Sequence, residues 1–280
     1  MMDRDFLIPN NMAELRRDLS RMTPDSKIVG GGTDLTIDMR NGRLSPDILL
    51  YLGDIEDLRA IYTESGCIRV GANATMHEIA VSGIFGREYG AITDAAAEIG
   101  SRQVRNLATI GGNIAGASPG ADMLPVLFLH KAELEIASPE GLCRKPVSEV
   151  VLSPGRTSLK HNEAITAIYL PPPPCVNYNS VFVKLGYRQK VTISRISLAV
   201  GLAFDIDGTV TFAEVVAGAI SDVPVHVKKA EQILYGSKIT PEIKTKAGEA
   251  LSALIKELTP GKDYKISAAM GIAEDALNRF

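Results

Sequence analysis

"KIVGGGTDLTIDMR", residues 27–40, sets three consecutive glycines between an apolar segment and a stretch carrying Leu35, Ile37 and Met39. Lys27 to Val29 reads as a short strand and Thr33 to Arg40 as a short helix, so Gly30, Gly31 and Gly32 make the turn between them. Glycines take positive φ at little cost and leave backbone N–H groups open to an approaching anion. Ile28 and Val29 lead into the turn; Thr33 adds a hydroxyl, and Asp34, before Leu35, is placed either to cap the helix or to accept from a ribose hydroxyl. No Lys-Ser/Thr pair follows, so this is not a P-loop, and the G-x-G-x-x-G order of the dinucleotide fingerprint is absent. A tight turn with no ligand explains one such stretch equally well.

A second stretch shifts the balance. "ATIGGNI", residues 108–114, again joins a hydroxyl, Thr109, to Ile110, paired glycines, Gly111 and Gly112, and an amide, Asn113. The loop Ser118, Pro119, Gly120, Asp122 follows it with an acidic side chain. Two anion cradles suit a pyrophosphate with a nucleotide at each end, although spacing alone does not bring them together.

Working outward, Asn11 with Glu14 reads as a capping box opening a helix to about Ser20, and Ile48 to Leu52 reads as a strand. From Ile61 onward, Ile68, Val70 and Ala72 alternate with Arg69 and Gly71, and Thr75 with Glu78 forms another capping box. Helices are predicted over Ala91–Ile99 and Met123–His130, and strands over Ala132–Ala137 and Ala164–Leu170. Pro171 to Pro174, four prolines in a row, favour an extended connector, and a domain boundary is expected there. Beyond them, Ser180–Leu185, Ile196–Ile206 and Thr209–Ile220 predict a three-strand meander, its last two strands joined by a two-residue turn at Asp207-Gly208. Helices over Val227–Leu234, Pro241–Leu258 and Ile266–Phe280 are expected on one face of that sheet.

The chain has 280 residues, 45% hydrophobic and 22% charged, with a formal net charge of -3, which argues against a nucleic-acid partner. There is no apolar run of about 18 residues, and the opening MMDRDFLIPN lacks the basic and apolar regions of a leader, so a soluble cytoplasmic chain with no membrane insertion is expected. Cys67, Cys143 and Cys175 are widely spaced with no C-x-x-C pair, which predicts free thiols rather than a disulfide framework or a cysteine-bound cluster. His77, His130, His161 and His226 fall in no metal or general-base motif and are expected to be structural or exposed.

"IVGGGTDL" (28–35), "GSRQVRNLATIGGNIAGASPGADMLP" (100–125) and "VFVKLGYRQKVTISR" (181–195) together resemble the FAD-binding subunit, or medium chain, of molybdenum hydroxylases of the xanthine dehydrogenase and carbon monoxide dehydrogenase type. The likeness runs in the same order over nearly the whole chain, and its central block is the most specific part. It implies an α+β fold: a two-subdomain FAD-binding domain of the PCMH type over residues 1–173, split near 55, and a C-terminal domain over 174–280 with a three-stranded antiparallel sheet and helices. By position, Ile28 to Leu35 would wrap the FAD pyrophosphate and Thr109 to Asn113 would close from the other side. Asp122 would accept from polar FAD groups, Gly100 and Ile165 would line the pocket, and Lys184 would reach the flavin. The molybdenum cofactor and 2Fe-2S clusters are expected on partner subunits, a large and a small one, with NAD as one acceptor. The four-cysteine insertion that some relatives carry is missing, so no cluster is expected here. A free-standing FAD-dependent oxidase or reductase, or a nucleotide-binding assembly module without redox activity, are the rival readings.

Overall fold

The computed structural model describes residues 5–280; residues 1–4, part of the opening read above as lacking a leader, lie outside it. The chain starts with β1 (Asp5–Leu7), α1 (Met12–Leu19), β2 (Lys27–Val29), α2 (Leu35–Arg40) and β3 (Ile48–Tyr51). The Asn11 side chain accepts the N–H of Glu14 at 2.9 Å and opens α1, while the returning half of the expected capping box comes from Asn10, whose N–H donates to Glu14 Oε2 at 2.8 Å. Helix α1 buries Leu15 and Leu19 with Leu7 and Leu50 of a parallel sheet ordered β1-β3-β2. β2 is therefore an edge strand, and the glycine turn leaves from its open end.

Next come β4 (Ile61–Glu64), β5 (Cys67–Gly71), α3 (Met76–Val81), α4 (Gly90–Glu98), α5 (Arg102–Arg105), α6 (Ile110–Gly116) and α7 (Met123–Leu129). They are followed by β6 (Glu133–Ser138), β7 (Gly141–Pro146), α8 (Val147–Val150), the ribbon β8 (Val151–Ser153) and β9 (Arg156–Thr157), and β10 (Ala164–Leu170). The antiparallel sheet β4-β5-β10-β6-β7 packs one face on these helices and turns Ala137 and Ala164 of the other into the core of the first sheet. Every residue of β10 is consequently buried. At the start of α3, Thr75 and Glu78 form the capping box in full, the hydroxyl accepting the Glu78 N–H and the carboxylate accepting the Thr75 N–H.

The C-terminal part holds β11 (Tyr178–Leu185), β12 (Ile196–Phe204), β13 (Val210–Gly218), β14 (Val225–His226), α9 (Lys228–Leu234), α10 (Pro241–Leu258) and α11 (Asp263–Leu277). Its sheet has four strands, not the expected three: Val225 and His226 pair with Ala217 and Val216, a run of two residues too short to show a period in the sequence. The three C-terminal helices cover one face, as expected, and α4 and α7 cover the other. Leu198, Val200 and Leu202 pack on α9–α11, while Phe182, Ala199 and Val216 join the core beneath α4 and α7. The turn at Asp207-Gly208 is also longer than expected. Asp205 N–H donates to Thr209 O at 2.9 Å, and the Asp205 side chain accepts the N–H groups of Asp207 and Thr209, enclosing three residues with Gly208 at φ +78°. Among the described residues no helix is long and apolar enough to cross a membrane.

Candidate functional site

The two glycine turns meet. A Cβ built on Gly31 would lie 1.8 Å from the carbonyl oxygen of Leu107, and one on Gly30 would lie 2.6 Å from Thr109 Oγ1. Gly111 faces Ala72, whose Cβ and carbonyl oxygen would both stand 2.8 Å from an added methyl. The residues after β5 zip onto the entry of α6: Gly111 N–H donates to Ala72 O, Ile110 N–H to Ala74 O and Met76 N–H to Ala108 O, at 2.8, 3.1 and 2.9 Å. Side chains are thus excluded at Gly30, Gly31 and Gly111 by the protein's own atoms, backbone at Gly31, side chains at Gly30 and both at Gly111, a closer reason than the ligand approach inferred from sequence. Gly32, at φ +66°, and the exposed Gly112 remain on the open side of the seam.

The two turns differ in what they offer. Among the described residues, the N–H groups of Gly31, Gly32, Thr33 and Asp34 find no protein acceptor. Those of Ile110, Gly111, Gly112 and Asn113 are all committed, the Gly112 N–H to Thr109 Oγ1 at 3.2 Å, which makes Thr109 the N-cap of α6. The first turn is therefore the donor set and the second a rigid wall. Asp34 is exposed and makes no side-chain cap, which leaves its carboxylate available, and Ile28, Val29 and Leu35 are half-buried around the turn. Two amide atoms at the seam are buried without a partner, Asn113 Oδ1 and Asn73 Nδ2. Sequence reading missed Asn73, because one asparagine between a strand and a capping box carries no motif.

Asp122 and Lys184 form a second cluster. The Lys184 Nζ donates to Asp122 Oδ2 at 2.6 Å, to Glu98 O at 2.7 Å and to Thr192 O at 3.2 Å, with both side chains under 10% exposed. Ser194 Oγ donates to the other Asp122 oxygen at 2.5 Å. Burial pushes the Asp122 carboxyl above its ordinary value, against the pull of Lys184 and Ser194. All three ammonium protons are spent on the chain itself, so Lys184 ties β11 to the end of α4 and to the loop at Asp122 rather than presenting a free cation. Gly100, at φ +47°, comes two residues after the end of α4, and Arg105 staples its carbonyl and that of Ile99 at 3.0 and 3.1 Å. Ile165 packs into the central core, beside Thr166, whose carbonyl receives the Ala72 N–H.

Four consecutive unspent N–H donors, one orphaned buried amide donor in Asn73 Nδ2 and a close approach of the turns that glycine permits fit a diphosphate. The fold and this donor set are those of a protein suited to bind a nucleotide's phosphates. Residues 2–173 match the family described as the FAD binding domain in molybdopterin dehydrogenase, and residues 182–277 match the CO dehydrogenase flavoprotein C-terminal domain. The chain belongs to this family: it is an FAD-binding oxidoreductase subunit of the molybdenum hydroxylase type. It is 28% identical to the xanthine dehydrogenase FAD-binding subunit of Escherichia coli O157:H7, over 87% of this chain and 82% of that one. It is 24% identical to the carbon monoxide dehydrogenase medium chain of Afipia carboxidovorans, over 98% and 96%. The crystal structure of the cyanide-inactivated Cu,Mo-CO dehydrogenase contains a chain similar to this one at a TM-score of 0.88 and 25% identity, covering 99% of this chain and 96% of that one.

Proposed function

We propose that this chain holds FAD at the seam of its two glycine turns and relays electrons from the 2Fe-2S clusters of a small partner subunit to an external acceptor such as NAD, the substrate being oxidised at a molybdenum cofactor on a large partner subunit. FAD suits the junction because it takes electrons singly and gives them up singly or as a hydride. The observation that carries the reading is the contact of Gly31 with Leu107, which sets the free N–H groups of Gly31 to Asp34 against the wall of Thr109 to Asn113. In this reading Ile28 to Leu35 hold the diphosphate, Thr109 to Asn113 close from the other side, and Gly100 and Ile165 shape the pocket. Asp122 is held by Lys184 and Ser194 as a fixed acceptor.

The work divides between two domains, 1–173 for the cofactor, with subdomains meeting near residue 55, and 174–280 as a support behind it. Separate apolar clusters under the first sheet and under α9–α11 favour that division. The names of the relatives, a subunit and a medium chain, favour an assembly over a free-standing enzyme. The test is co-purification of the protein with whatever it binds, followed by flavin, iron and molybdenum analysis and anaerobic reduction. One FAD per chain, with iron and molybdenum in the complex, bleaching by a strong chemical donor in every case and bleaching by a small oxidisable substrate only when partners are present, is the expected result. A chain that purifies alone and turns over small substrates unaided contradicts it.

A further inference from the structure

The amide of Asn73 stands where the two turns meet. Its Oδ1 would lie 3.2 Å from a Cβ on Gly30, on the same spot that Thr109 Oγ1 approaches to 2.6 Å. The residue is 5% exposed, and its Nδ2 has no hydrogen-bond partner. A buried amide donor without an acceptor costs free energy in a folded chain, so its retention needs a reason. Mobility does not supply one, because the backbone is pinned on both sides: Asn73 N–H donates to Leu58 O at 2.7 Å, and Ala74 N–H to Gly71 O at 2.9 Å. The next residue, Thr75, is locked in its capping box.

The geometry points to Asn73 as a ligand-binding residue whose Nδ2 donates to an anionic oxygen of the bound diphosphate, a role resting on the FAD-binding reading above. The donors of the first turn are its backbone N–H groups and the Thr33 hydroxyl. Asn73 adds a buried side-chain donor at the seam whose backbone is fixed before the ligand arrives, so little ordering entropy is lost when it binds. Its partner must be an acceptor, and an anionic one makes the stronger bond.

The test uses the full chain in the assembly with which it purifies, stripped of flavin and titrated with FAD, with melting of the flavin-free protein as a second readout. Asn73→Asp keeps the shape and replaces the donor by a repelling anion; Asn73→Leu keeps the bulk and removes the orphan. FAD binding is expected to weaken about tenfold in Asn73→Leu and further in Asn73→Asp, while the flavin-free Asn73→Leu protein melts at or above the wild-type temperature. FAD affinity within twofold of wild type in both variants overturns the inference. So does a loss of affinity matched by an equal fall in flavin-free melting of Asn73→Leu, which is the mark of a structural role. Failure of the wild type itself to take up FAD strikes at the proposed function instead, so the two failures are told apart.

Discussion

A methyl group separates two kinds of glycine in the seam. At Gly31 an added Cβ runs into the Leu107 carbonyl at 1.8 Å, whereas at Gly112 it meets only Thr109 Oγ1 at 3.0 Å. Gly31→Ala is therefore expected to cost stability, at least ~1–3 kcal/mol, by forcing the turns apart. Gly112→Ala is expected to leave the denaturation midpoint unchanged while lowering FAD affinity, since its methyl points to the open side. Urea melts with flavin titrations on both variants separate the two effects, and equal behaviour of the pair would contradict this assignment. Lys184→Met leaves the buried Asp122 carboxylate unpaired and is expected to cost ~3–5 kcal/mol. The double change Lys184→Met with Asp122→Leu recovers most of it, read as a coupling energy in a double-mutant cycle. At this scale the glycine turns were legible because three glycines in a row have few other uses. The burial of Lys184 was not, since β11 is covered on both faces and the alternation that marks a solvent-facing lysine is lost there.

Caps and turns carry the elements, and most of them could be read in advance. Thr75 with Glu78 reads as a capping box and forms one; its loss in Thr75→Ala is expected to cost ~1 kcal/mol, measurable by chemical denaturation, with no change if α3 does not depend on it. Pro241 at the first turn of α10 likewise marks the true start of that helix. What escaped were features set by distant partners. β14 exists because Val216 and Ala217 lie beside it, and the Asp205 side chain, three residues before Gly208, decides the hairpin length. The convergence of the turns is of the same kind. It depends on the residues after β5 pairing with those at the entry of α6, across more than thirty residues of intervening chain, and no local pattern encodes that.

For the whole molecule, the junction between the N-terminal part and the C-terminal sheet contributes one part of the response to acid. His130 is fully buried between Tyr89 and Tyr178, with its Nε2 at 3.3 Å from Ser180 Oγ of β11. Burial pulls its pKa from 6.5 down to about 3. The neutral ring is favoured in the folded state, so above the unfolded value there is no effect. As pH falls below 6.5 the unfolded chain takes the proton first, and stability drops by ~1.4 kcal/mol per pH unit until the folded ring titrates. His130→Phe is expected to remove that part of the slope in denaturation curves taken from neutral pH into the acid range; parallel curves for both proteins would contradict it. Arg279 braces the same junction, donating to Phe182 O at 3.0 Å and to Asp94 at 2.9 Å.

The central claim is that one diphosphate sits between the turns, taken up by the free N–H groups of the first against the closed wall of the second. Amide hydrogen exchange with and without FAD, followed on peptides spanning residues 30–34 and 109–113, tests it most directly. Exchange at Gly31, Gly32, Thr33 and Asp34 is predicted to be fast without flavin and strongly slowed with it, while Ile110 to Asn113 stay protected throughout. Unchanged exchange over 30–34 on FAD binding, with protection arising elsewhere in the chain, would contradict it.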